Sequence, residues 1–300
     1  GRRPAHLVGP TEAHSCQAGW DLGTGNKYPP VVIDDGMQID LSGKTALVSG
    51  STQGIGAAIA EGLAAAGARV VVNGRSDESV ARAIDTIRSH VDGADLIGVA
   101  ADLTTDDGVA ALQAQVPHVD ILVNNLGIFE AVPALEIDDA QWRKFFDVNV
   151  LSAVRLTRVY LPGMIERSWG RVLNIASESA VAIPVEMIHY GMSKTAMLAV
   201  TRGFAKAAAG SGVTVNSVIV GPTHTEGVEE FVYQLVDRTL PWRDAEQTFM
   251  REHRPLSLLQ RLIEPREVAN MVVYLSSPQA SATTGGALRV DGGIADTIVP

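Results

Sequence analysis

Cysteine, cationic residues and long apolar runs are all scarce in this chain of 300 residues. Cys16 is the only cysteine, so no intramolecular disulfide can form, and we expect a protein of a reducing compartment, the cytoplasm. Glu61 and Arg69 interrupt the most alanine-rich stretch, so no membrane span is expected. Lys and Arg number 24 against 34 Asp and Glu, and this net charge of −10 argues against general nucleic-acid binding, which needs clustered cations.

The remaining composition is typical of a folded chain, with 46% hydrophobic and 19% charged residues. Residues 1–36 differ from the remainder because they show no helical or strand periodicity. We predict an N-terminal extension there, which is either an expression remnant or misassigned start, or an arm that packs on a neighbouring subunit. Residues 37–300 show no break in composition and are predicted to form one domain.

Strand-like and helix-like segments alternate from Lys44 onward. The strands are continuous apolar runs, which is typical of a parallel sheet buried on both faces. These runs are Thr45–Val48, Val70–Val72, Leu96–Val99, Ile121–Val123, Val172–Ile175, Val213–Val220 and Ala287–Val290. Helices are predicted around Ile55, Ile59 and Leu63, and over Asp77–Val91, Thr105–Val116, Asp138–Arg167, Met187–Ala209 and Pro265–Leu275. This alternation predicts an α/β fold, a single Rossmann-type doubly wound domain with a seven-stranded parallel sheet flanked by helices. Residues 221–254 interrupt the alternation, and we expect a substrate loop there.

A glycine-rich turn, Ser49-Gly50-Ser51-Thr52-Gln53-Gly54-Ile55-Gly56, joins the first strand to the first helix. Glycines let the backbone approach a pyrophosphate closely, and the helix N-terminus supplies free N–H groups. A purely structural turn is the alternative, but the strand–turn–helix context favours a dinucleotide site. Arg75 follows the second strand and no carboxylate occurs at 72–76, which favours NADP(H) over NAD(H) unless Arg75 is only a solvated surface charge.

Tyr190 and Lys194 are spaced by one helical turn, so the phenol and the ammonium share a helix face. The ammonium is expected to lower the pKa of Tyr190, which suits a group that exchanges a proton with an alcohol. Ser177 stands at the end of the fifth strand, where the carboxyl ends of parallel strands face a ligand crevice. Its hydroxyl can meet a carbonyl oxygen there.

Together, Gly50-x3-Gly54-x-Gly56, Asn124-Asn125-Leu126-Gly127, Asn149, Ser177 and Tyr190-x3-Lys194 stand in the order and spacing of the short-chain dehydrogenase/reductase family. The chain resembles this family over about residues 40–295. The resemblance implies that Tyr190 is the general acid/base, that Ser177 polarises the substrate oxygen, and that Lys194 binds the nicotinamide ribose and tunes Tyr190. It also implies that the backbone carbonyl of Asn149, inside the long helix, holds a relay water to Lys194.

The resemblance further implies a set of cofactor contacts. Asp102-Leu103 would meet the adenine, Thr225 the nicotinamide carboxamide, and Asn125 and Gly127 would line the cofactor beside the fourth strand. The contacts in the turn are assigned to Gly50, Ser51, Gln53, Gly54, Ile55 and Gly56.

Three positions depart from the family pattern. Leu126 replaces an alanine and adds bulk near the cofactor cleft, whereas Ser49 replaces a threonine and keeps the hydroxyl. Val220 replaces a proline, which affects the geometry of the loop that follows.

Three further polar residues have two interpretations each. His189 is expected to pack or face solvent, because it points about 100° from Tyr190 on a helix. His224 is interpreted as an exposed loop histidine or a substrate contact, and Glu178 as a pocket residue or a solvated turn carboxylate. No His, Cys and carboxylate cluster has metal-ligand spacing, so no catalytic metal is expected.

These inferences predict an NADP(H)-dependent oxidoreductase that interconverts a ketone and a secondary alcohol on a small-molecule substrate. The alternative is an NAD-dependent dehydrogenase of a sugar, polyol or steroid-like alcohol, and a non-catalytic dinucleotide-sensing protein is a rival on the same fold. Phe231, Val232, Leu235, Val236 and Trp242 in the 221–254 segment indicate either an apolar lid or ordinary helix packing. The family resemblance also implies a homotetramer whose contacts are formed by the two long helices and the C-terminal segment.

Overall fold

The computed structural model describes residues 38–298, and the predictions made for residues 1–36 lie outside them. Within the described residues, seven strands form one sheet in the order β3-β2-β1-β4-β5-β6-β7. In chain order, β1 to β7 are Thr45–Val48, Arg69–Gly74, Leu96–Ala100, Ile121–Asn124, Gly170–Ser177, Val213–Val220 and Ala287–Val290. Every neighbouring pair is parallel, which confirms the predicted doubly wound α/β fold.

Helices flank this sheet on both faces, and the α-helices of the described residues are numbered α1 to α9. They are Gly54–Ala65, Asp77–His90, Asp106–Gln115, Asp139–Phe146, Ser152–Glu166, Ile188–Ala207, Glu226–Leu235, Trp242–His253 and Pro265–Ser276. Over residues 38–298, none of these helices is both long and apolar enough to cross a membrane.

Alternate side chains of each strand reach opposite sides of the sheet, because successive Cβ atoms in a strand point to opposite faces. Ala46 and Val48 of β1 pack in the same buried cluster as Ile59 of α1. Leu47, between them, lies in a second cluster with Leu156 of α5. The two clusters cover both faces of the sheet, and this is why the strands are continuous apolar runs rather than alternating ones.

The long helix predicted over Asp138–Arg167 is divided. α4 ends at Phe146, a π-helical turn occupies Asp147–Leu151, and α5 starts at Ser152. A π turn holds one more residue than a regular turn and keeps the chain helical, so the sequence pattern was read as one regular helix. Asn149 lies on this turn.

Residues 221–254 are largely helical, which corrects the prediction of a loop. α7 and α8 occupy most of the segment, and their apolar residues pack together around Phe231, Val232, Phe249 and Met250. The rings of Phe231 and Phe249 lie 6.2 Å apart, edge to face. The apolar residues of the segment therefore pack between the two helices, and the substrate-binding role expected of the segment stays a prediction. The two helices were not predicted because no strand separates them.

Candidate active site

The turn between β1 and α1 brings three glycines into a tight backbone cradle. Gly50 and Gly54 have φ angles of +62° and +56°, in the left-handed region that favours glycine. A Cβ on Gly56 would lie 2.4 Å from the carbonyl oxygen of Gly50, closer than atoms can approach. The geometry of the turn therefore requires glycine at all three positions.

The N-terminus of α1 opens beside this turn. Gln53 precedes the helix with an exposed side chain that makes no capping hydrogen bond, and the first turn carries no acidic residue. The free N–H groups and the positive end of the helix dipole thus suit an anion such as the pyrophosphate of a dinucleotide. Of the other predicted contacts, Ile55 packs partly against the core, and Ser51 is buried with its hydroxyl donating to the carbonyl of Val48 at 2.7 Å.

Asn73, near the end of β2, ties this turn to the neighbouring strand and was not among the predicted site residues. Its Oδ1 accepts from the backbone N–H of Gly50 at 3.1 Å. Its Nδ2 donates to the carbonyls of Val99 and Ala101, both at 3.1 Å. The signal in the sequence was a lone polar residue near the end of an apolar strand.

Arg75 and Asp102 follow the adjacent strands β2 and β3. Both are exposed. Hydrogen bonds from Thr104 hold the pKa of the Asp102 carboxyl below its ordinary value, and the charge of Arg75 contributes further. Leu103 is buried in the core, so its backbone is the part left for the predicted adenine contact.

The loop after β4 fastens the glycine-rich turn from the other side. Nδ2 of Asn125 donates to the carbonyls of Ser49 and Gly50, both at 3.0 Å. The Ser49 hydroxyl in turn accepts from the backbone N–H groups of Asn125 and Leu126, each at 3.0 Å. Ser49 therefore performs a structural role that needs its hydroxyl, and the Leu126 side chain packs on Gly50, 3.3 Å from where a Cβ would be.

Asn149 joins the loop after β4 to α6. Its side chain donates to the carbonyl of Ile128 at 3.0 Å and to the Ser193 hydroxyl at 2.9 Å, and accepts from the N–H of Ile128 at 2.8 Å. A Cβ on Gly127 would lie 3.4 Å from both Asn149 Oδ1 and Lys194 Nζ. Asn149 is thus buried beside Lys194, on the π turn instead of the regular helix that was predicted.

β5 and α6 bring Ser177, Tyr190 and Lys194 together. Ser177 is the last residue of β5 and is buried, and its hydroxyl lies close enough to Tyr190 to lower the pKa of the phenol. Lys194 Nζ donates to the carbonyl of Ile175 at 2.8 Å and lies 5.6 Å from the centre of the Tyr190 ring. The three predicted catalytic side chains therefore meet at the carboxyl edge of the sheet.

The expected lowering of the Tyr190 pKa was wrong for this structure. Burial raises the pKa of Tyr190, the Glu178 carboxylate raises it further, and only the Ser177 hydroxyl lowers it. Burial also lowers the pKa of Lys194 to about 8, although the Glu178 charge opposes that shift. Desolvation penalises phenolate and ammonium alike and is the largest cause of both shifts, which helical spacing alone does not show.

Glu178 is buried against Ser177 and is not a solvated carboxylate. Its Oε2 lies 2.5 Å from the Ser177 hydroxyl oxygen, and its Oε1 lies 4.0 Å from Nε of Arg254. Arg254 is itself buried, with 8% of its surface exposed, and its Nη1 lies 3.5 Å from Oε1 of Glu186. Burial raises the pKa of Glu178, while the Ser177 hydrogen bond and the Arg254 charge lower it.

A cavity of about 420 Å³ opens beside Glu178. Its charged and polar lining is Glu178, Glu186, Glu252, His253 and Arg254, and apolar side chains that include Ile183 and Leu256 form much of the remainder. This volume is in the range of small-molecule sites, and the cavity adjoins Ser177 through Glu178.

Thr225 begins α7 against the glycine-rich turn. Its Oγ1 accepts from the N–H of Val228 at 3.2 Å, and its methyl carbon lies 3.3 Å from where a Cβ on Gly54 would be. Because the oxygen accepts in this cap, the hydroxyl proton can serve a bound carboxamide. The structure thus places the start of the 221–254 segment beside the cradle.

The two histidines in question are both held by ring contacts. His189 is fully buried, with its ring 4.0 Å from that of Phe145, so the packing interpretation is right and burial lowers its pKa. Nε2 of His224 lies 2.6 Å from Oε1 of Glu229. The His224 ring also stacks on the Trp242 ring, with the ring centroids 5.3 Å apart. Across residues 38–298, no group of three His, Cys, Asp or Glu side chains is arranged to hold a metal ion.

The chain is similar to known oxidoreductases over most of its length. A family model described as enoyl-(acyl carrier protein) reductase matches residues 50–295. The uncharacterized oxidoreductase YvaG of Bacillus subtilis (strain 168) is 49% identical over 263 residues, which cover 87% of this chain and 100% of YvaG. D-β-hydroxybutyrate dehydrogenase of Cupriavidus necator is 34% identical over 84% of this chain and 98% of its own. The structure of L-sorbose reductase from Gluconobacter frateurii, complexed with NADPH and L-sorbose, matches with a TM-score of 0.81 and 32% identity, over 87% of this chain and 100% of that chain.

Proposed function

Because the chain belongs to the short-chain dehydrogenase/reductase family of oxidoreductases, we propose that it is an NADP(H)-dependent enzyme that interconverts a ketone and a secondary alcohol. One observation carries the proposal: Ser177, Tyr190 and Lys194 converge at the carboxyl edge of β5, beside Gly127. In a doubly wound sheet this edge is where ligands bind.

The residues along this edge suit a dinucleotide. The Gly50–Gly56 turn and the start of α1 would hold the pyrophosphate, Arg75 the 2′-phosphate, and Gly127 and Thr225 would lie beside the nicotinamide. Bound there, the cofactor supplies or accepts a hydride. The exposed guanidinium of Arg75 supports the choice of NADP(H), as does the NADPH bound in the structure of L-sorbose reductase.

The protein side chains handle the proton. The raised pKa of Tyr190 keeps its phenol protonated at neutral pH, so it can donate to the oxygen of a ketone that is being reduced. The Ser177 hydroxyl donates to the same oxygen and stabilises the negative charge that develops there. Lys194 is held by the carbonyl of Ile175, and its positive charge favours the phenolate left on Tyr190.

A cofactor-dependent assay tests the proposal. With wild-type protein and Tyr190→Phe, absorbance would follow the oxidation of NADPH and NADH by keto acids, ketoses and simple ketones. In the reverse direction it would follow the reduction of NADP+ and NAD+ by hydroxy acids and polyols. We expect turnover with NADPH, and a loss of about 10²–10⁴-fold in Tyr190→Phe with cofactor binding retained, because only the hydroxyl is removed. Turnover by Tyr190→Phe comparable to the wild type would contradict the assignment of the acid/base.

A further inference from the structure

The Ser177 hydroxyl has a single proton and several possible partners. Its oxygen accepts from the backbone N–H of Ser179 at 3.1 Å and lies 2.5 Å from Oε2 of Glu178. A hydroxyl can donate once and accept twice. Since Ser179 fills one acceptor position, the direction of the bond to Glu178 decides where the serine proton points.

We propose that Glu178 is a positioning residue that sets the direction of the Ser177 hydroxyl, an inference that rests on the proposed function. When Glu178 is neutral, its carboxyl proton is donated to Ser177 Oγ and both acceptor positions are filled, so the serine proton turns away from Glu178, towards the Tyr190 phenol and, once substrate is bound, towards the substrate oxygen. When Glu178 is ionised, it accepts the serine proton, and Ser177 no longer polarises the substrate. Ser177 therefore assists reduction only while Glu178 is neutral.

The surroundings of Glu178 favour the neutral form more than water does. The carboxyl is buried, which raises its pKa, and Arg254 at 4.0 Å lies too far away to donate a hydrogen bond to it. Arg254 also forms an ion pair with Glu186, with Nη1 and Oε1 3.5 Å apart, so its charge does not act on Glu178 alone. The Glu178 charge in turn raises the pKa values of Tyr190 and Lys194. Two further titratable residues, Glu252 and His253, line the cavity beside Glu178.

A ratio of rates isolates the contribution of Ser177 from these other titrating groups. We would measure kcat/KM for NADPH-dependent reduction from mildly acidic to mildly alkaline pH in wild-type protein, Ser177→Ala, Glu178→Gln and the double variant. Dividing the wild-type value by that of Ser177→Ala cancels the titration of groups such as Lys194, since they are present in both proteins. The same ratio in the Glu178→Gln background shows whether Glu178 is the group that matters.

The wild-type ratio should be roughly 10²–10³ at the acidic end, the usual cost of losing one donor to a developing oxyanion, and should fall towards one as the pH rises. In the Glu178→Gln background the ratio should stay large throughout, because the amide N–H donates to Ser177 at every pH. A large wild-type ratio that does not change with pH would overturn the inference alone, as would an equal pH dependence in both backgrounds. A ratio near one at every pH in both backgrounds would instead overturn the role of Ser177 in the proposed function. Thermal unfolding checks that Glu178→Gln folds. If this variant does not fold, the pH dependence of the ratio between wild-type protein and Ser177→Ala decides for or against the inference.

Discussion

Replacing Gly56 by alanine tests whether the turn after β1 is the cofactor cradle. The new Cβ would lie 2.4 Å from the carbonyl oxygen of Gly50 and 2.5 Å from Nδ2 of Asn125, where ordinary contact begins at 3.4 Å. These two neighbours are hydrogen-bonded to each other at 3.0 Å, so neither can yield freely. The turn must open by about 1 Å and lose that bond.

The magnitude follows from two opposing effects. Overpacking of this kind costs about 1–3 kcal/mol, while the helix propensity of alanine over glycine returns about 0.5–1 kcal/mol. We therefore expect the free energy of unfolding of Gly56→Ala to fall by up to about 2.5 kcal/mol. Because the backbone of Gly50 moves away from the pyrophosphate position, NADPH affinity should fall at least about tenfold, which corresponds to about 1.4 kcal/mol.

Gly203→Ala is the matched control. Gly203 also lies in a helix, α6, but it is exposed and a Cβ there would meet nothing within 4 Å. This substitution should raise the free energy of unfolding by about 0.5–1 kcal/mol and leave NADPH affinity unchanged. Denaturant unfolding and fluorescence titration with NADPH would measure both quantities. Wild-type NADPH affinity in Gly56→Ala, or stability equal to that of Gly203→Ala, would refute the reasoning.

Three further predictions concern the cofactor, a buried charge and assembly. Arg75→Asp should weaken NADPH binding by about 10–150-fold and turn the preference to NADH, because a carboxylate repels the 2′-phosphate and accepts a hydrogen bond from a 2′-hydroxyl. Equal catalytic efficiency with NADPH and NADH, before and after the substitution, would show that Arg75 is only a surface charge. Burial lowers the pKa of Lys194 from 10.5 to about 8, so between these values the unfolded chain binds more protons than the folded one. The Lys194 contribution to the free energy of unfolding should therefore rise with pH over that range in protein without added cofactor, and urea unfolding of Lys194→Met should lack this rise. A homotetramer, proposed from the family resemblance, should give a light-scattering mass of four times 31.7 kDa, and the mass of one chain would contradict it.

Much of the fold and most of the site positions could be predicted from the sequence because their signals are local. Thr45–Val48 was predicted with the bounds that β1 has, and Ile121–Val123 to within one residue of β4, since buried parallel strands are largely apolar runs. The glycines of the turn after β1 could be recognised because positive φ angles and close backbone contacts leave no other residue type. Ser177, Tyr190 and Lys194 could be placed on one edge because a parallel sheet aligns its carboxyl ends.

The properties that depend on distant parts of the chain were decided by the tertiary structure alone. The π turn at Asn149 lies within a helical stretch that was predicted as one regular helix, and α7 and α8 pack against each other with no strand between them. Helical spacing placed Lys194 near Tyr190, yet the pKa of the tyrosine rises because tertiary packing excludes water and brings Glu178 close. Arg254 reaches Glu178 from a segment far along the chain. Desolvation and charge pairing are sums over all neighbours in space, so the sequence determines which chemical groups are present, and only the folded chain decides their protonation and partners.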